Sequence, residues 1–182
     1  MIKRSYSDII KSNQSYFLAR EISRPALTDM FAQYGLQTES NYIASSLNLQ
    51  FQNMIEVLGN SVLERRVLDL GCGSVQSQDY SFVLNRPYEP WLCRFLHKAG
   101  SKVVGVDVAD NKNELFENYK VDLRSTGALS FLPDESIDLA NAFGLFDSKV
   151  IQFTPSSMDF EKNLEKELER VLKPDGFFIY NP

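Results

Sequence analysis

An acidic residue just ahead of a glycine turn marks the first stretch of the sequence whose residue types could do chemistry. Residues 67–70 form an apolar run interrupted by Asp69, and the run breaks at Gly71-Cys72-Gly73. A carboxylate inside a strand buried on both faces is costly unless it has partners. Glycines allow the backbone to approach a ligand closely. The stretch therefore predicts a buried strand leading into a ligand-binding turn, with an ordinary strand-to-helix turn as the alternative.

Three further polar residues lie at or near the ends of predicted strands. Asp107 ends a predicted strand at residues 102–107, Asp122 lies late in one at 119–123, and Asn141 lies late in one at 137–143. Ligands bind beyond the carboxyl ends of strands in open parallel sheets, so these positions and the glycine turn predict one site along one edge. An acid at a strand end can instead cap a turn, and ordinary turn chemistry stays open for all three residues.

Helical patterns account for most of the remaining sequence. Strands that alternate with helices predict an α/β fold, a Rossmann-like doubly wound and mostly parallel sheet with helices on both faces. Residues 1–61, which hold no convincing strand, are predicted to be helices that pack on or cover a core formed by residues 62–182, within a single domain overall. The predicted helices span residues 7–22, 25–34, 41–58, 90–100, 111–118 and 157–172, and a fifth strand spans residues 177–180.

The sequence leaves two roles open, that of the N-terminal helices with their tyrosines and that of the one histidine. The N-terminal helices either pack against the sheet or cover a ligand site, in which case tyrosines supply contacts. His97 is adjacent to Lys98 on a predicted helix, which is typical of a solvated surface position. The tyrosines that could contact a ligand are Tyr6, Tyr16, Tyr34 and Tyr42.

The composition describes an ordinary globular protein. The net charge is -5 with 43% hydrophobic residues, which argues against a nucleic-acid or anionic-membrane partner because both favour basic surfaces. Cys72 and Cys93 are too few for a disulfide framework and lack metal-ligand spacing, which favours a reducing, cytoplasmic setting. We find no signal peptide and no apolar stretch long enough to span a membrane.

Taken together, these segments resemble a class I S-adenosylmethionine-dependent methyltransferase, of the broad group that includes small-molecule methyltransferases. The matching segments are residues 67–74, 103–110, 121–143 and 164–178, and the resemblance covers about residues 62–182. It implies an enzyme that transfers a methyl group from S-adenosylmethionine to an unidentified acceptor, a small molecule or a protein. The sequence has no evident His, Cys or metal constellation, so no metal is expected, and the resemblance identifies no catalytic base.

The resemblance also implies roles for individual residues. It implies that the backbone of Gly71, Cys72 and Gly73 accommodates the methionine part of the cofactor, and that Asp69 helps to order the turn. Asn141 lies where the family approaches the methionine part and the transferred methyl group.

The adenosine half is expected to lie against the next two strands. The resemblance implies that Asp107 accepts both ribose hydroxyls, in a charge-assisted arrangement, and that Val108 lies against the adenine. It implies that Asp122 accepts from the adenine amine, with the Leu123 backbone N–H beside it.

The sequence departs from the family pattern in three places. Val75 stands where a third glycine is usual, and a β-branched residue there disfavours positive φ and is expected to crowd the methionine end. Residues 75–89 form a loop longer than the family's usual connection. The sequence given stops after the fifth strand, without the last strands of the family fold, so that strand is expected to leave an exposed edge that a missing segment or a partner covers, or else this is a shortened variant.

Two other functions compete with the enzyme. A non-catalytic methyltransferase-like binding or scaffold module is favoured by Val75 and by the missing strands. A nicotinamide dinucleotide enzyme is disfavoured, because its fingerprint requires a third glycine where Gln76 stands and an acid closer than Asp107.

Overall fold

A six-stranded, all-parallel sheet forms the centre of the computed structural model, which describes residues 1–9, 11–35, 40–76, 80–81, 86–146 and 157–181. The strand order is β1-β8-β7-β2-β5-β6. A separate antiparallel pair joins two short strands, β3 and β4. In chain order the strands are β1 (Ile2–Ser5), β2 (Arg66–Leu70), β3 (Tyr80–Ser81), β4 (Arg86–Pro87), β5 (Lys102–Asp107), β6 (Glu117–Lys120), β7 (Ile137–Ala142) and β8 (Leu172–Tyr180).

Helices cover both faces of this sheet. The helices among the described residues are α1 (Asn13–Tyr34), α2 (Ser40–Leu58), a 3-10 helix (Gly59–Glu64), α3 (Trp91–Lys98) and α4 (Ser157–Val171). One core packs α1, α2 and α3 against one face, and a second core packs α4 and the segments after β6 and β7 against the other. The predicted α/β class, with a parallel sheet between helical layers, is therefore confirmed. Among the described residues, no helix combines the length and apolar character that a membrane crossing requires.

Successive side chains along each interior strand point to opposite faces of the sheet, so each strand contributes to both cores. Val67, Val103 and Leu139 face α1 to α3, whereas their neighbours Leu68, Val104 and Ala140 face α4. The register pairs Asp69 with Gly105 on one side and with Asn141 on the other. Because side chains two residues apart share a face, Asp69 and Asn141 point toward the α1 to α3 side near the carboxyl ends of their strands.

The N-terminal segment contains a strand, so the prediction of helices alone in residues 1–61 is wrong. β1 pairs in parallel with β8, with Ile2 opposite Phe177 and Ser5 opposite Tyr180. Only Ser5 of its four residues is buried, and Lys3 and Arg4 are exposed, so no apolar alternation marks it in the sequence. The expectation of an exposed edge at the fifth strand is wrong for the same reason, because β1 covers β8.

The first two predicted helices form one continuous helix. α1 starts later than predicted, at the N-cap Ser12, whose Oγ accepts from the Ser15 N–H at 3.1 Å, and it runs through Pro25. A proline inside a helix costs a backbone hydrogen bond. The buried residues on both sides of it, from Ala19 to Met30, keep one inward stripe and outweigh that cost. The helix ends at a left-handed C-cap, since Gly35 has φ 65 and its N–H donates to Phe31 O.

The stretch predicted as a helix at residues 111–118 is instead a turn followed by the start of a strand. After a turn closed by the Glu114 N–H on Asn111 O at 2.9 Å, the chain enters β6, which pairs with β5 and ends at Lys120. The predicted strand at 119–123 therefore starts and ends too late. β6 is an edge strand with no fully buried residue, so it lacks the apolar run by which β2, β5 and β7 are recognised.

The remaining predicted elements are close to those observed. α2, α3 and α4 match their predictions within one or two residues, with Pro90 as the N-cap of α3 rather than its first residue. His97 is exposed, as predicted. The fifth strand, β8, begins earlier than predicted, at Leu172, with an irregular register against β7 between Ile137 and Leu139. Part of the predicted 75–89 loop, residues 77–79 and 82–85, lies outside the described residues.

Candidate cofactor site at the carboxyl edge

The glycine turn after β2 is held by backbone hydrogen bonds to its neighbours. Gly71 and Gly73 have φ 68 and 87, a region that side chains other than glycine rarely adopt. The Gly71 and Cys72 N–H groups donate to Val106 O at 2.8 and 3.1 Å. The Ser74 N–H donates to Tyr88 O at 2.7 Å. These N–H groups already have protein acceptors, so the glycines allow close packing of the chain on itself in addition to any approach by a ligand.

Asp107, at the end of β5, is bonded directly to the glycine turn. Its Oδ2 accepts from the Gly73 N–H at 2.9 Å, and its Oδ1 accepts from the Ala109 N–H at 2.8 Å. The carboxylate is half-buried, and the neighbouring Val108 side chain is 53% exposed. The arrangement therefore puts a carboxylate, whose oxygens have further lone pairs, beside an open apolar side chain at the edge of the sheet.

Asp69 lies behind the turn in a buried polar network. Its Oδ1 accepts from Asn141 Nδ2 at 2.7 Å, and its Oδ2 accepts from Cys93 Sγ at 3.5 Å. Asn141 Oδ1 in turn accepts from the Tyr6 hydroxyl at 2.5 Å. Asp69 is 5% exposed and Asn141 is fully buried. Burial raises the pKa of Asp69 to about 6, although the hydrogen bonds from Asn141 and Cys93 act in the opposite direction.

Gly105 makes room for this network from the neighbouring strand. A Cβ at that position would lie 3.0 Å from the sulfur atoms of both Cys72 and Cys93, and 2.7 Å from Phe116 Cε2. A side chain on β5 would therefore displace the two thiols that flank Asp69. Both cysteines are free and buried.

A cavity of about 70 Å³ opens beside the network, between the turn and the helices α2 and α3. Aromatic side chains form much of its wall, and Gln50 and Ser46 of α2 add polar groups. Tyr42, Ser46 and Gln50 are spaced four residues apart, so they share one face of α2. That spacing is the signal by which sequence analysis could have found them. The aromatic residues of the wall are Tyr42, Tyr88, Trp91 and Phe143.

Tyr88 borders both the cavity and the glycine turn. A Cβ on Gly73 would lie 2.7 Å from Tyr88 Cδ1 and would clash with the Tyr88 carbonyl oxygen. The segment is anchored by the next residue, because Glu89 Oε2 accepts from Arg94 Nη1 at 2.6 Å in a buried ion pair. The Arg94 guanidinium also binds Glu114 and stacks on the Tyr34 ring at 4.0 Å. Tyr88 is thus held against Gly73, on the glycine turn itself.

The predicted crowding by Val75 is wrong. Val75 does not have a positive φ, since Glu135 is the one residue other than glycine with that geometry among the described residues. Its side chain is 49% exposed and is not part of the cavity wall. Tyr88, rather than Val75, narrows the space at the turn.

Asp122 and Leu123 do not line the cavity. The chain after β6 still follows β5, because the Val121 N–H donates to Asp107 O at 2.8 Å. Asp122 pairs with Arg124 through Nε at 2.8 Å and Nη2 at 2.7 Å, and these hydrogen bonds lower its pKa. Its Oδ1 also accepts from the Arg124 N–H at 3.0 Å, so the turn-capping alternative holds for Asp122. Leu123 is buried.

Tyrosines of the N-terminal segment differ in their relation to the site. Tyr6 reaches Asn141, and Tyr42 lines the cavity. Tyr34 stacks on Arg94 instead, and Tyr16 is exposed on α1. Helices α1 and α2 therefore pack on the sheet, and α2 also lines the cavity. Among the described residues, no group of three His, Cys, Asp or Glu side chains has a geometry that could hold a metal ion.

Comparisons with known proteins give structural neighbours alone. No family model matches the chain, and no curated protein matches it. An S-adenosylmethionine-dependent methyltransferase from Archaeoglobus fulgidus matches at 19% identity and a TM-score of 0.45, over 87% of this chain and 53% of that one. The second neighbour is the MycE methyltransferase of the mycinamycin biosynthetic pathway, in complex with Mg, SAH and mycinamycin VI. It matches at 16% identity and a TM-score of 0.48, over 86% of this chain and 37% of that one.

MycE in complex with Mg and SAH gives a TM-score of 0.51 at 15% identity, over 85% of this chain and 36% of that one. The chain thus spans between 36% and 53% of the length of these neighbours. Identities this low carry information about the fold alone. Together with the parallel sheet and the glycine turn at its carboxyl edge, the match shows that the chain has the fold of class I S-adenosylmethionine-dependent methyltransferases.

Proposed function

We propose that the chain binds S-adenosylmethionine and transfers its methyl group to a small-molecule acceptor. One observation carries this proposal: the Asp107 carboxylate accepts from the Gly73 N–H at 2.9 Å, which joins the glycine turn of β2 to the acid of β5 at one edge of the sheet. Asp69 and Asn141 lie directly behind that turn. A cofactor with a charged methionine end and a ribose diol needs this combination of close backbone and carboxylates.

The roles of individual residues follow the two halves of the cofactor. We assign the ribose hydroxyls to Asp107 and the adenine face to Val108, whose 53% exposure leaves it free to be covered. Asp122 and the Leu123 N–H are assigned to the adenine amine, and Arg124 must then share the Asp122 carboxylate. The methionine part is assigned to Gly71, Cys72 and Gly73, with Asp69 and Asn141 beside them.

The residue types at the site suit the chemical groups of the cofactor, but the cavity is too small to hold it. Carboxylates and a glycine turn are present, but ligand pockets usually measure about 300–1,000 Å³ and this cavity measures about 70 Å³. Tyr88 must therefore move off the glycine turn before the methionine part can enter. Tyr88 is 41% exposed, so the contacts of its covered part must be replaced by contacts with the cofactor.

The cofactor supplies a methyl group already activated on a sulfonium. The protein's work is then to orient the acceptor, to exclude water and to hold charges in place, which can lower the barrier substantially without a covalent nucleophile. The buried network around Asp69 and the aromatic wall of the cavity serve that purpose. We assign no general base.

The cavity wall also favours one kind of acceptor. No Lys, Arg or His is among the described residues that line it, whereas Asp69 and Glu89 are. An anionic acceptor would lack a counter-charge there, so we propose a neutral or cationic small molecule with an apolar part that suits the aromatic wall. MycE, a methyltransferase of a biosynthetic pathway crystallised with SAH, supports a small-molecule acceptor by analogy of fold.

Two subsidiary proposals concern the setting and the organisation of the chain. The free, buried thiols of Cys72 and Cys93 support a reducing, cytoplasmic compartment. The helices of residues 1–61 form a cover for the core of residues 62–182, because α2 contributes Tyr42, Ser46 and Gln50 to the cavity wall, whereas β1 belongs to the sheet itself.

A second candidate function is a non-catalytic binding or scaffold module with a methyltransferase-like fold. The small cavity and the position of Tyr88 on Gly73 favour it, because a site that never opens cannot bind the cofactor. The two candidates differ in whether the chain binds the cofactor and transfers its methyl group.

Calorimetric titration with S-adenosylhomocysteine tests the proposal, with NAD as the control ligand. We expect micromolar binding of S-adenosylhomocysteine and none of NAD. A folded, monodisperse sample that binds neither ligand contradicts the cofactor assignment and leaves the scaffold candidate. If binding is found, methyl transfer to a panel of neutral and cationic acceptors then separates an enzyme from a non-catalytic binding module.

Asp107→Asn tests the ribose assignment in the same titration. The amide keeps an acceptor for the Ala109 N–H but loses the charge and the acceptor that faces Gly73. We expect a loss of about 1–3 kcal/mol in binding free energy. Asp134→Asn is the matched control, since Asp134 pairs with Arg170 and is 73% exposed. Equal affinities for the wild type and Asp107→Asn rule out this role for Asp107.

A further inference from the structure

We propose that Tyr6, on the segment that follows β1, is a positioning residue for the cofactor site: its hydroxyl fixes the amide of Asn141 and thereby the Asp69 carboxylate that faces the cavity. The inference rests on the proposed function. It gives the N-terminal strand a role in the site as well as in covering the edge of the sheet.

The main chain and the ring of Tyr6 are both fixed by the sheet. The Tyr6 N–H donates to Tyr180 O at 2.9 Å, which continues the pairing of β1 with β8 by one residue. The ring packs edge-on against Phe143, with centroids 5.4 Å apart, and the residue is 7% exposed. The hydroxyl therefore reaches Asn141 from a rigid anchor.

The donors and acceptors of the network allow one consistent arrangement when Asp69 is ionised. A carboxylate only accepts, so the Asn141 atom that faces it at 2.7 Å must be the NH₂ nitrogen. The carbonyl oxygen of Asn141 then faces Tyr6, and the Tyr6 hydroxyl must donate to it. Gln50 Oε1 accepts from the same NH₂ group at 3.5 Å, which agrees with this orientation.

The phenol is suited to remain a donor throughout the working pH range. Burial, and then the charge of Asp69, raise the pKa of Tyr6 well above its ordinary value. Asn141 is fully buried, so water does not replace the hydroxyl easily. Without the hydroxyl, the amide carbonyl loses its partner, and the amide is held through its NH₂ group by Asp69 and Gln50 alone among the described residues. We expect its orientation, and with it the hydrogen bond to Asp69, to be less firmly fixed.

Tyr6→Phe tests the orientation of Asn141 without any ligand. Phenylalanine keeps the ring against Phe143 and removes the hydroxyl alone. We expect the two side-chain amide protons of Asn141, followed by NMR, to shift and to exchange faster with water than in the wild type. Tyr119→Phe is the matched control, because the Tyr119 hydroxyl bonds to the exposed Glu117 instead. Unchanged Asn141 amide signals in Tyr6→Phe overturn the proposal.

A second NMR measurement uses the wild type, so it does not depend on whether a variant folds. The Tyr6 hydroxyl proton should appear as a slowly exchanging resonance with a nuclear Overhauser effect to the Asn141 side chain. A Tyr6 hydroxyl that exchanges freely with water overturns the hydrogen bond.

Titration with S-adenosylhomocysteine then measures the consequence for the site. We expect Tyr6→Phe to bind about three- to tenfold more weakly than the wild type, the usual effect of one lost hydrogen bond, and Tyr119→Phe to bind equally. Altered amide signals with unchanged affinity overturn the positioning role. Absence of binding by the wild type overturns the proposed function and the part of Tyr6 in it, and the NMR measurements then still decide whether Tyr6 orients Asn141.

Discussion

Asp69 is a buried carboxylate whose partners are neutral hydrogen-bond donors. Its side chain faces Asn141, Cys93 and the cavity, and its pKa of about 6 lies above the ordinary value of 3.8. A folded state that holds a proton more tightly than the unfolded state loses stability as pH rises between those two values. Ionised Asp69 above pH 6 thus lowers the free energy of unfolding by about 3 kcal/mol relative to the value at low pH. This loss of stability is the cost of keeping a charge beside the cavity.

Asp69→Asn should therefore stabilise the fold in a pH-dependent way. Relative to the wild type, we expect its free energy of unfolding in urea to rise by about 3 kcal/mol as pH increases from below 4 to above 6, and to stay level beyond. Asp29→Asn, at an exposed position of α1, is the control for the loss of one carboxylate. A constant difference between Asp69→Asn and the wild type across this range would contradict a raised pKa.

Tyr88 is the residue that decides how much space the glycine turn offers. Its ring and carbonyl lie against Gly73, in a cavity of about 70 Å³. Tyr88→Ala removes the ring and leaves the carbonyl that accepts from Ser74, so the turn keeps its hydrogen bond. We expect faster and a few-fold tighter binding of S-adenosylhomocysteine in stopped-flow and calorimetric measurements, because the ring no longer has to be displaced.

Val75→Ala is the matched control for Tyr88→Ala. Val75 is 49% exposed in the same loop and is not part of the cavity wall, so its truncation should leave affinity within about 0.5 kcal/mol of the wild type. Weaker binding by Tyr88→Ala would show that the ring packs on the bound ligand instead of excluding it.

The elements that sequence analysis found and missed differ in their burial. β2, β5 and β7 are interior strands with nearly continuous buried residues, and their bounds were predicted within about one residue. β1 and β6 lie at the two edges, where one face or both is exposed and no apolar pattern remains. Pairing to a neighbour rather than local sequence creates these edge strands, so a search for periodicity cannot locate them.

The residues of the candidate site also differ in whether local sequence could reveal them. Asp69, Asp107 and Asn141 were predicted because they end interior strands, and the register of those strands brings them together. Tyr6 reaches Asn141 across 135 positions of sequence, and a contact of that range leaves no local signal. Tyr6 itself was one of the four tyrosines proposed as ligand contacts, although its bond to Asn141 was not foreseen. Tyr88 was missed altogether, because its position depends on Arg94 holding the next residue, Glu89.

β1 is held to the rest of the fold by charge as well as by backbone pairing. The Lys3 ammonium pairs with Glu165 of α4 and lies 5.0 Å from the centre of the Tyr180 ring. The side chains are 41% and 39% exposed, so the pair contributes little more than about 1 kcal/mol. Lys3→Glu should lower the free energy of unfolding by about that amount, since two acids then face each other.

A charge-reversed double variant tests this pairing against a general effect of charge. Lys3→Glu combined with Glu165→Lys should recover about 0.5–1 kcal/mol of the loss in urea unfolding. Additive effects of the two changes would mean that Lys3 and Glu165 do not interact in solution.

At the scale of the whole molecule, one tryptophan reports on the site. Trp91 is the single tryptophan of the chain, is 7% exposed, and lines the cavity at the start of α3. Its ring also stacks with Arg94, 4.5 Å away, which connects it to Glu89 and so to the Tyr88 segment. Intrinsic fluorescence therefore follows both unfolding of the domain and filling of the cavity.

A ligand that binds only the native fold raises its unfolding temperature by mass action. A hundredfold excess of S-adenosylhomocysteine over its dissociation constant contributes about 2.7 kcal/mol. For a domain of 182 residues this corresponds to about 5–11 °C in a thermal scan followed by Trp91 fluorescence, whereas NAD should cause no shift. An unmoved transition at that excess would mean that the ligand does not distinguish the folded chain from the unfolded one, and it would contradict a site assembled from separate segments of the folded chain.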